Sequence, residues 1–176
     1  MNNLFYGMLF VFLDFTLNLG NCVIGLIPDF VGYILMLKGL REIESESGLF
    51  ARAKPWATGM AVYTGILYAM DLLGISARLR FAAWLLGLLS TAVSLVISYW
   101  IVTGVRDMET ARRWDLQGDK LKILWVALAV VNVICYLCGW ITLVGWIGAI
   151  AGFIIGICYL VAFNSTRKMY LVMAGS

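Results

Sequence analysis

Long apolar runs separated by short polar links dominate this chain. Each run is close to the roughly 20 residues of helix that the hydrocarbon core of a bilayer requires. None alternates apolar and polar residues, as the strands of a membrane β-barrel would. We predict an all-α fold, a polytopic membrane helix bundle formed by one transmembrane domain over 1–176. Its six transmembrane segments are predicted at 4–20, 22–40, 56–76, 81–105, 121–139 and 140–164.

The links between these runs predict three tandem hairpins. The links at Asn21 and at residues 139–140 are so short that the helices they join must be antiparallel. The sequence GLREIE at Gly39–Glu44 nearly matches GVRDME at Gly104–Glu109, and each closes the second helix of a hairpin. Two explanations fit equally well: internal duplication, or the basic residues that any helix meets where it leaves a membrane.

The distribution of basic residues predicts the orientation of the hairpins. Charge is concentrated in the connections 41–55 and 106–120 and in the C-terminal tail. If these lie in the cytoplasm, Arg78 and Arg80 are the two outside among 13 Lys and Arg residues. Cytoplasmic loops carry an excess of Lys and Arg. Both termini are therefore predicted to be cytoplasmic, and the first segment is kept as a span because it lacks the features of a signal peptide.

Composition narrows the function classes. The chain is 62% hydrophobic and 13% charged, whereas soluble domains carry about 25% charged residues. Its net charge of +3 comes from basic residues beside the spans, so no nucleic-acid partner is expected. It contains no His, which excludes His-ligated haem, the usual zinc sites and a Ser-His-Asp triad. We expect a protein without cofactor or metal that is not an enzyme, since no nucleophile–base arrangement is visible.

Polar residues inside the first two segments indicate a binding site. Ionisable groups at membrane depth are costly and mark functional sites. Asp14 and Asp29 stand equally far from the turn near Asn21, and Asp14, Asn18 and Asn21 share one helix face. Pro28 frees a backbone carbonyl, as in the discontinuous helices of transporters. The predicted ligand site, for a small solute or cation in an outward-facing pocket, comprises Asp14, Asn18, Asn21, Asp29, Asp71 and Asn132.

Structural roles compete with this site. Asp14 and Asn18 would then only tie helices together, and Asp71 would pair with Arg78 or Arg80. A rival arrangement makes 4–27 one span and begins a cytoplasmic amphipathic helix at Pro28, because Pro and Asp favour the first turn of a helix. That arrangement has five spans and an external N-terminus. We favour six spans because 30–37 is too uniformly apolar for a surface helix.

Small residues spaced four apart predict close helix packing in the last two hairpins. Such residues let the backbones of two membrane helices approach each other. We favour packing inside the bundle over a homodimer or a partner membrane protein, and expect Gly152→Leu to be harmful. The packing residues are Gly148, Gly152 and Gly156 in the sixth segment, with Ser90 and Ser94 in the fourth.

Two cysteines raise a redox alternative. Cys135 and Cys138 form a CxxC near the outer end of the fifth segment, the type of pair that thiol–quinone oxidoreductases of membranes use. No second CxxC and no soluble redox domain accompany it, and Cys is common in apolar helices. Redox catalysis therefore ranks last, behind transport and behind a non-catalytic accessory, assembly or immunity subunit that docks a partner through its glycine-rich sixth helix.

The stretch GLIPDFVGY, followed by LKGLREIESES and ARAKP, resembles a group of small bacterial integral membrane proteins with a Leu-Pro-Asp-Phe-x-Gly-Tyr signature. The resemblance covers mainly the first 60 residues. It implies a multi-pass protein of the bacterial cytoplasmic membrane and no particular activity. The expected architecture is also similar to the S-components of energy-coupling factor vitamin transporters. The first helix of those proteins carries an AxxxA contact, and this chain departs from that pattern, with only Gly7 and Val11 at such spacing.

Overall fold

The computed structural model describes residues 1–12, 16–19, 22–25, 28–72, 80–138 and 142–175. Within these ranges the chain forms six α-helices, one short 3₁₀ turn at Glu44–Glu46 and a two-stranded antiparallel sheet. In chain order the elements are α1 (Asn2–Phe12), β1 (Thr16–Leu19), β2 (Cys22–Gly25), α2 (Asp29–Glu42), α3 (Gly48–Leu72), α4 (Arg80–Arg112), α5 (Gly118–Cys138) and α6 (Thr142–Ala174).

The predominance of helix is confirmed, but the prediction of helix is wrong for two short stretches near the start of the chain. β1 and β2 lie inside the predicted segments 4–20 and 22–40, and they pair from Thr16 with Gly25 to Leu19 with Cys22. Extended strands can pair here because the link between them has only two residues, the length of a tight hairpin. The helix beginning near Pro28, part of the rival arrangement, is confirmed: Pro28 is the extended N-cap residue of α2.

Two of the described helices contain parts that are long and apolar enough to cross a bilayer: Leu85–Arg112 of α4 and Trp146–Ala174 of α6. In each, 22% of the residues in the apolar window are buried. The core helix of a soluble protein would bury most of them. The six-span arrangement remains a prediction.

The chain divides into two compact units, Met1–Ile97 and Ser98–Ser176. In the first unit α1 packs on α2 so closely that their backbones are almost in contact. A Cβ atom added at Gly7 would lie 2.5 Å from the Met36 amide nitrogen and 2.7 Å from the Gly32 carbonyl oxygen. One added at Gly39 would overlap the backbone of Leu4. Glycine is therefore required on both helices for this contact.

The polar end of the same unit is held by side chains of the link between α2 and α3. Glu42 lies 3.1 Å from the Met1 amino group and accepts a hydrogen bond from the Asn3 amide. Glu44 pairs with Lys54 of α3. Ile43, between these two acids, is buried. The link is thus fixed both by charge and by an apolar anchor.

In the second unit a single carboxylate organises the turn between α4 and α5. Glu109 accepts hydrogen bonds from the backbone amides of Leu116, at 2.9 Å, and Gly118, at 3.1 Å. The first amides of a helix have no partner within the helix, and a negative charge there is favourable. The buried Thr166 hydroxyl of α6 donates to the Leu116 carbonyl at 2.7 Å. This turn joins all three helices of the unit.

The glycines of the sixth segment face α5. The nearest side-chain atom to a Cβ added at Gly152 is in Val131, at 3.6 Å, and for Gly156 it is in Leu128, at 3.9 Å. At Gly148 the Cβ would overlap the Cys135 sulfur. The glycine face therefore packs within the second unit, and α1 and α2 make the closer backbone approach.

Candidate functional site

The candidate site lies where β1, β2 and the start of α2 interrupt the apolar N-terminal segment. Asn18 is in β1, opposite Val23, and Asp29 is the first residue of α2. Asp14 and Asn21 fall outside the described residues. Of the four central candidates, Asn18 is thus in the non-helical hairpin and Asp29 is where the chain leaves it.

This stretch of extended backbone has a chemical consequence. Each strand of a two-stranded sheet directs half of its amide and carbonyl groups away from its partner. β2 packs against α3. In a bilayer, such backbone is tolerated only where protein covers it or where it lines a water-filled cavity. The hairpin therefore provides backbone hydrogen-bonding groups in addition to the side chains predicted from the sequence.

Three polar side chains are linked in series from the exit of the hairpin, from Asp29 through Tyr33 to Ser94. Asp29 and Tyr33 are one helical turn apart on α2, so they share a face, and the carboxylate is close enough to the phenol to interact electrostatically. Tyr33 is 2% exposed and forms a hydrogen bond with the Ser94 side chain of α4. The Oδ1 atom of Asp29 is buried. A polar chain thus runs from the start of α2 to the middle of α4.

An aromatic contact fixes the start of α2 against α3. The rings of Phe30 and Tyr68 are 5.8 Å apart between centroids. A Cβ at Gly65 would be 3.8 Å from the Phe30 side chain, so α3 leaves room for that ring. Because Phe30 follows Asp29 directly, this packing also fixes the direction of the first turn of α2.

The two remaining predicted ligand residues are on other helices. Asp71 is in the last turn of α3, and its side chain is not among the described ones. Asn132 belongs to the second unit, where its amide donates to the Leu128 carbonyl of its own helix at 2.9 Å. A residue that back-bonds to its own helix needs no ligand to be satisfied. Asp29 is therefore the one predicted ligand residue whose described side chain belongs to a polar cluster, and its partners there are Tyr33 and Ser94.

Tyr33 and Ser94 were missed as site residues. Tyr33 belongs to no motif that predicts a site, and Ser94 was assigned to packing because Ser90, Ser94 and Ser98 are four apart. Ser90 is half-buried in α4. Ser98 has a different role, accepting a hydrogen bond from the indole of Trp125 at 2.9 Å. Spacing alone does not distinguish a serine whose hydroxyl has a polar partner on another helix from a serine that only packs.

The described side chains contain no group of three or more Cys, Asp or Glu residues that could hold a metal ion. Cys135 and Cys158 are free thiols. The Cys135 sulfur packs against the backbone of Gly148, while the side chain of Cys138 lies outside the described residues. Cys135 thus has a packing role whether or not it also has redox chemistry.

No family model, curated protein or solved structure shows significant similarity to this chain. The resemblance of GLIPDFVGY to small bacterial membrane proteins therefore remains an expectation. Function must be argued from the chemistry of the hairpin and of the residues around it.

Proposed function

We propose that this chain is a multi-pass protein of the bacterial cytoplasmic membrane that binds a small solute or cation at the β1–β2 hairpin, as a transporter or as the binding subunit of one. The observation that carries the proposal is the helix break at this hairpin. It separates α1 from α2 in an otherwise apolar segment and places Asp29 at its exit. Discontinuous helices form the substrate and ion sites of many transporters.

The surface of α6 supports the membrane location. Trp146 is 69% exposed and Ile150 is 58% exposed, and they lie one turn apart on the helix. Leu143, Ile147, Phe153, Ile154 and Val161 of the same helix are also exposed. Soluble monomers rarely expose a contiguous apolar patch of this kind. Lipid chains would cover this face.

The polar chain at α2 supports the site itself. A carboxylate in an apolar segment must be paired, protonated or neutralised by a cation. Tyr33, which interacts with Asp29 and forms a hydrogen bond with Ser94, offers a hydroxyl oxygen, and oxygen atoms are the ligands that alkali and alkaline-earth cations take. The two strands of the hairpin also have carbonyl groups that their mutual pairing does not use, and unwound segments of transporters coordinate ions with such groups.

The alternative of a subunit that docks a partner through its glycine-rich helix loses its main support. Gly148, Gly152 and Gly156 lie against α5 of the same unit. They are therefore occupied within the chain, and a partner would have to use a different face.

The test is thermal unfolding of the full chain in detergent, with NaCl, KCl or CaCl₂ compared with choline chloride at equal ionic strength. A cation that binds the folded state at ten times its dissociation constant stabilises that state by about 1.4 kcal/mol. We expect one of these salts to raise the unfolding temperature, and Asp14→Asn and Asp29→Asn each to abolish that rise.

Asp107→Asn is the matched control, because Asp107 is an exposed carboxylate at the charged end of α4. It should keep the wild-type response to salt. If both hairpin variants keep that response as well, the site is wrong. Uptake of labelled cations into proteoliposomes would then separate a transporter from a binding subunit.

A further inference from the structure

A groove of about 420 Å³ runs between α3 and α4 in the first unit. Five of its lining residues come from α3, among them Trp56, Gly59 and Tyr63, and two come from α4, Leu89 and Val93. It is almost wholly apolar. It belongs neither to the hairpin nor to the polar chain at Asp29, so the proposed binding site leaves it without a role.

A hydrogen bond crosses one end of the groove, and the other end, toward Gly59, is open. The Tyr63 hydroxyl donates a hydrogen bond to the Leu86 carbonyl at 2.8 Å, which joins α3 to α4. Toward the start of α3 the wall continues past Trp56, which is 49% exposed. A Cβ atom added at Gly59 would meet nothing within 4 Å. The space over this glycine is therefore open, and a larger side chain would fill it.

A basic residue stands at the open end. Arg52, Trp56, Gly59 and Tyr63 follow the spacing i, i+4, i+7 and i+11, so they form one stripe along α3. Arg52 is exposed, and from it to Tyr63 the helix rises about 16 Å. Arg52 and Trp56 thus lie in line with the apolar groove along one face of α3.

We propose that this groove binds one anionic phospholipid, with an acyl chain between α3 and α4 and the headgroup phosphate at Arg52. The charge of the stripe decides the occupant, since a zwitterionic lipid would gain less from the guanidinium. Tryptophan favours the headgroup level of a membrane, which is where Trp56 would lie. The inference rests on the membrane location in the proposed function and is independent of the hairpin site.

The test is native mass spectrometry of the full chain, released from detergent after titration with dioleoyl phosphatidylglycerol or dioleoyl phosphatidylcholine. We expect the wild type to retain one phosphatidylglycerol in preference to phosphatidylcholine. A basic residue near a membrane surface contributes about 1 kcal/mol to binding anionic lipid, which is about fivefold in affinity. Arg52→Gln should therefore weaken retention of phosphatidylglycerol about fivefold and leave phosphatidylcholine unchanged.

Two variants test the groove from opposite walls. Gly59→Leu and Val93→Phe should each reduce retention of both lipids, and circular dichroism checks that each variant is folded. Val62→Leu is the matched control, because Val62 is exposed on α3 without lining the groove. Arg41→Gln is the control for charge, since Arg41 is exposed on α2.

Three results would overturn the lipid site: equal retention of the two lipids by the wild type, wild-type retention by both groove-filling variants, or equal losses in Arg41→Gln and Arg52→Gln. Asp29→Asn should leave lipid retention unchanged. Loss of the salt response in that variant with intact lipid retention would support both proposals. Failure of the salt response in the wild type would count against the hairpin site alone.

Discussion

Replacing Gly7 by alanine should destabilise the first unit, although alanine is the better helix former. The new Cβ would lie 2.5 Å from the Met36 nitrogen, 2.7 Å from the Gly32 oxygen and 2.8 Å from the Met36 Cα. All three atoms belong to the backbone, so no rotamer change can relieve the overlap. Since ordinary van der Waals contact begins at 3.4 Å, α1 and α2 would have to separate by about 1 Å.

The magnitude follows from two opposing effects. A gap of 0.5–1 Å forfeits about a quarter to a half of the dispersion attraction between facing atoms, and overpacking in a close-packed interior costs about 1–3 kcal/mol. The higher helix propensity of alanine returns at most about 1 kcal/mol. We expect a net loss of about 2 kcal/mol. Gly59→Ala has the same propensity gain without an overlap, so it should raise stability by about 0.5–1 kcal/mol.

The assay is reversible unfolding of the purified chain in mixed micelles, with an increasing mole fraction of denaturing detergent and helix content followed by circular dichroism. The two variants should move the midpoint in opposite directions. If Gly7→Ala unfolds at or above the midpoint of Gly59→Ala, the close backbone contact between α1 and α2 does not exist. Gly39→Ala, which would overlap the backbone of Leu4, should behave like Gly7→Ala.

Two predictions concern the second unit and use the same unfolding measurement. Gly148→Ala should cost about 1–3 kcal/mol. Adding Cys135→Ala to that variant should recover most of this loss, because the new Cβ overlaps the Cys135 sulfur and lies 3.8 Å from the Cys135 Cβ. Strictly additive effects of the two substitutions would refute this prediction. Glu109→Ala should cost about 2 kcal/mol by leaving two backbone amides unsatisfied. Glu109→Gln keeps one acceptor oxygen and should cost less, and equal effects of the two variants would contradict the capping role.

The helical part of the fold was predictable because it depends on long apolar runs. α4, α5 and α6 begin within three residues of the predicted segments 81–105, 121–139 and 140–164. α4 and α6 continue past the predicted ends, through Arg112 and Ala174. Hydropathy cannot place those ends, because a helix can extend beyond the apolar region and still keep its backbone hydrogen bonds.

The β-hairpin was missed for a physical reason. Two short runs joined by Gly20-Asn21 carry the sequence signature of a tight hairpin, yet hydrophobicity alone does not distinguish strand from helix in short apolar runs. Helix was predicted because the apolar region is long. Asp29 was singled out from the sequence as a polar residue beside Pro28. Ser94, the hydrogen-bond partner of Tyr33, lies on α4, and no local pattern connects it to α2.

The close contact of α1 and α2 was also beyond the spacing rules. Those rules search for small residues four apart on one helix. Here Gly7 stands alone on α1, and Gly32 and Gly39 are two turns apart on α2. Each is unremarkable in its own helix. Only the antiparallel arrangement of the two helices brings the three glycines into one contact.

That contact bears on how the chain would enter a membrane during synthesis. α1 has 11 residues, about 16 Å of helix, roughly half the thickness of the hydrocarbon core. On the proposed location it is too short to be released into lipid as an independent span. It would have to wait at the insertion machinery until α2 has been made, and the pair would partition together. Biogenesis of this end of the protein would then proceed by helical hairpin, with glycine-to-glycine docking as its first tertiary step.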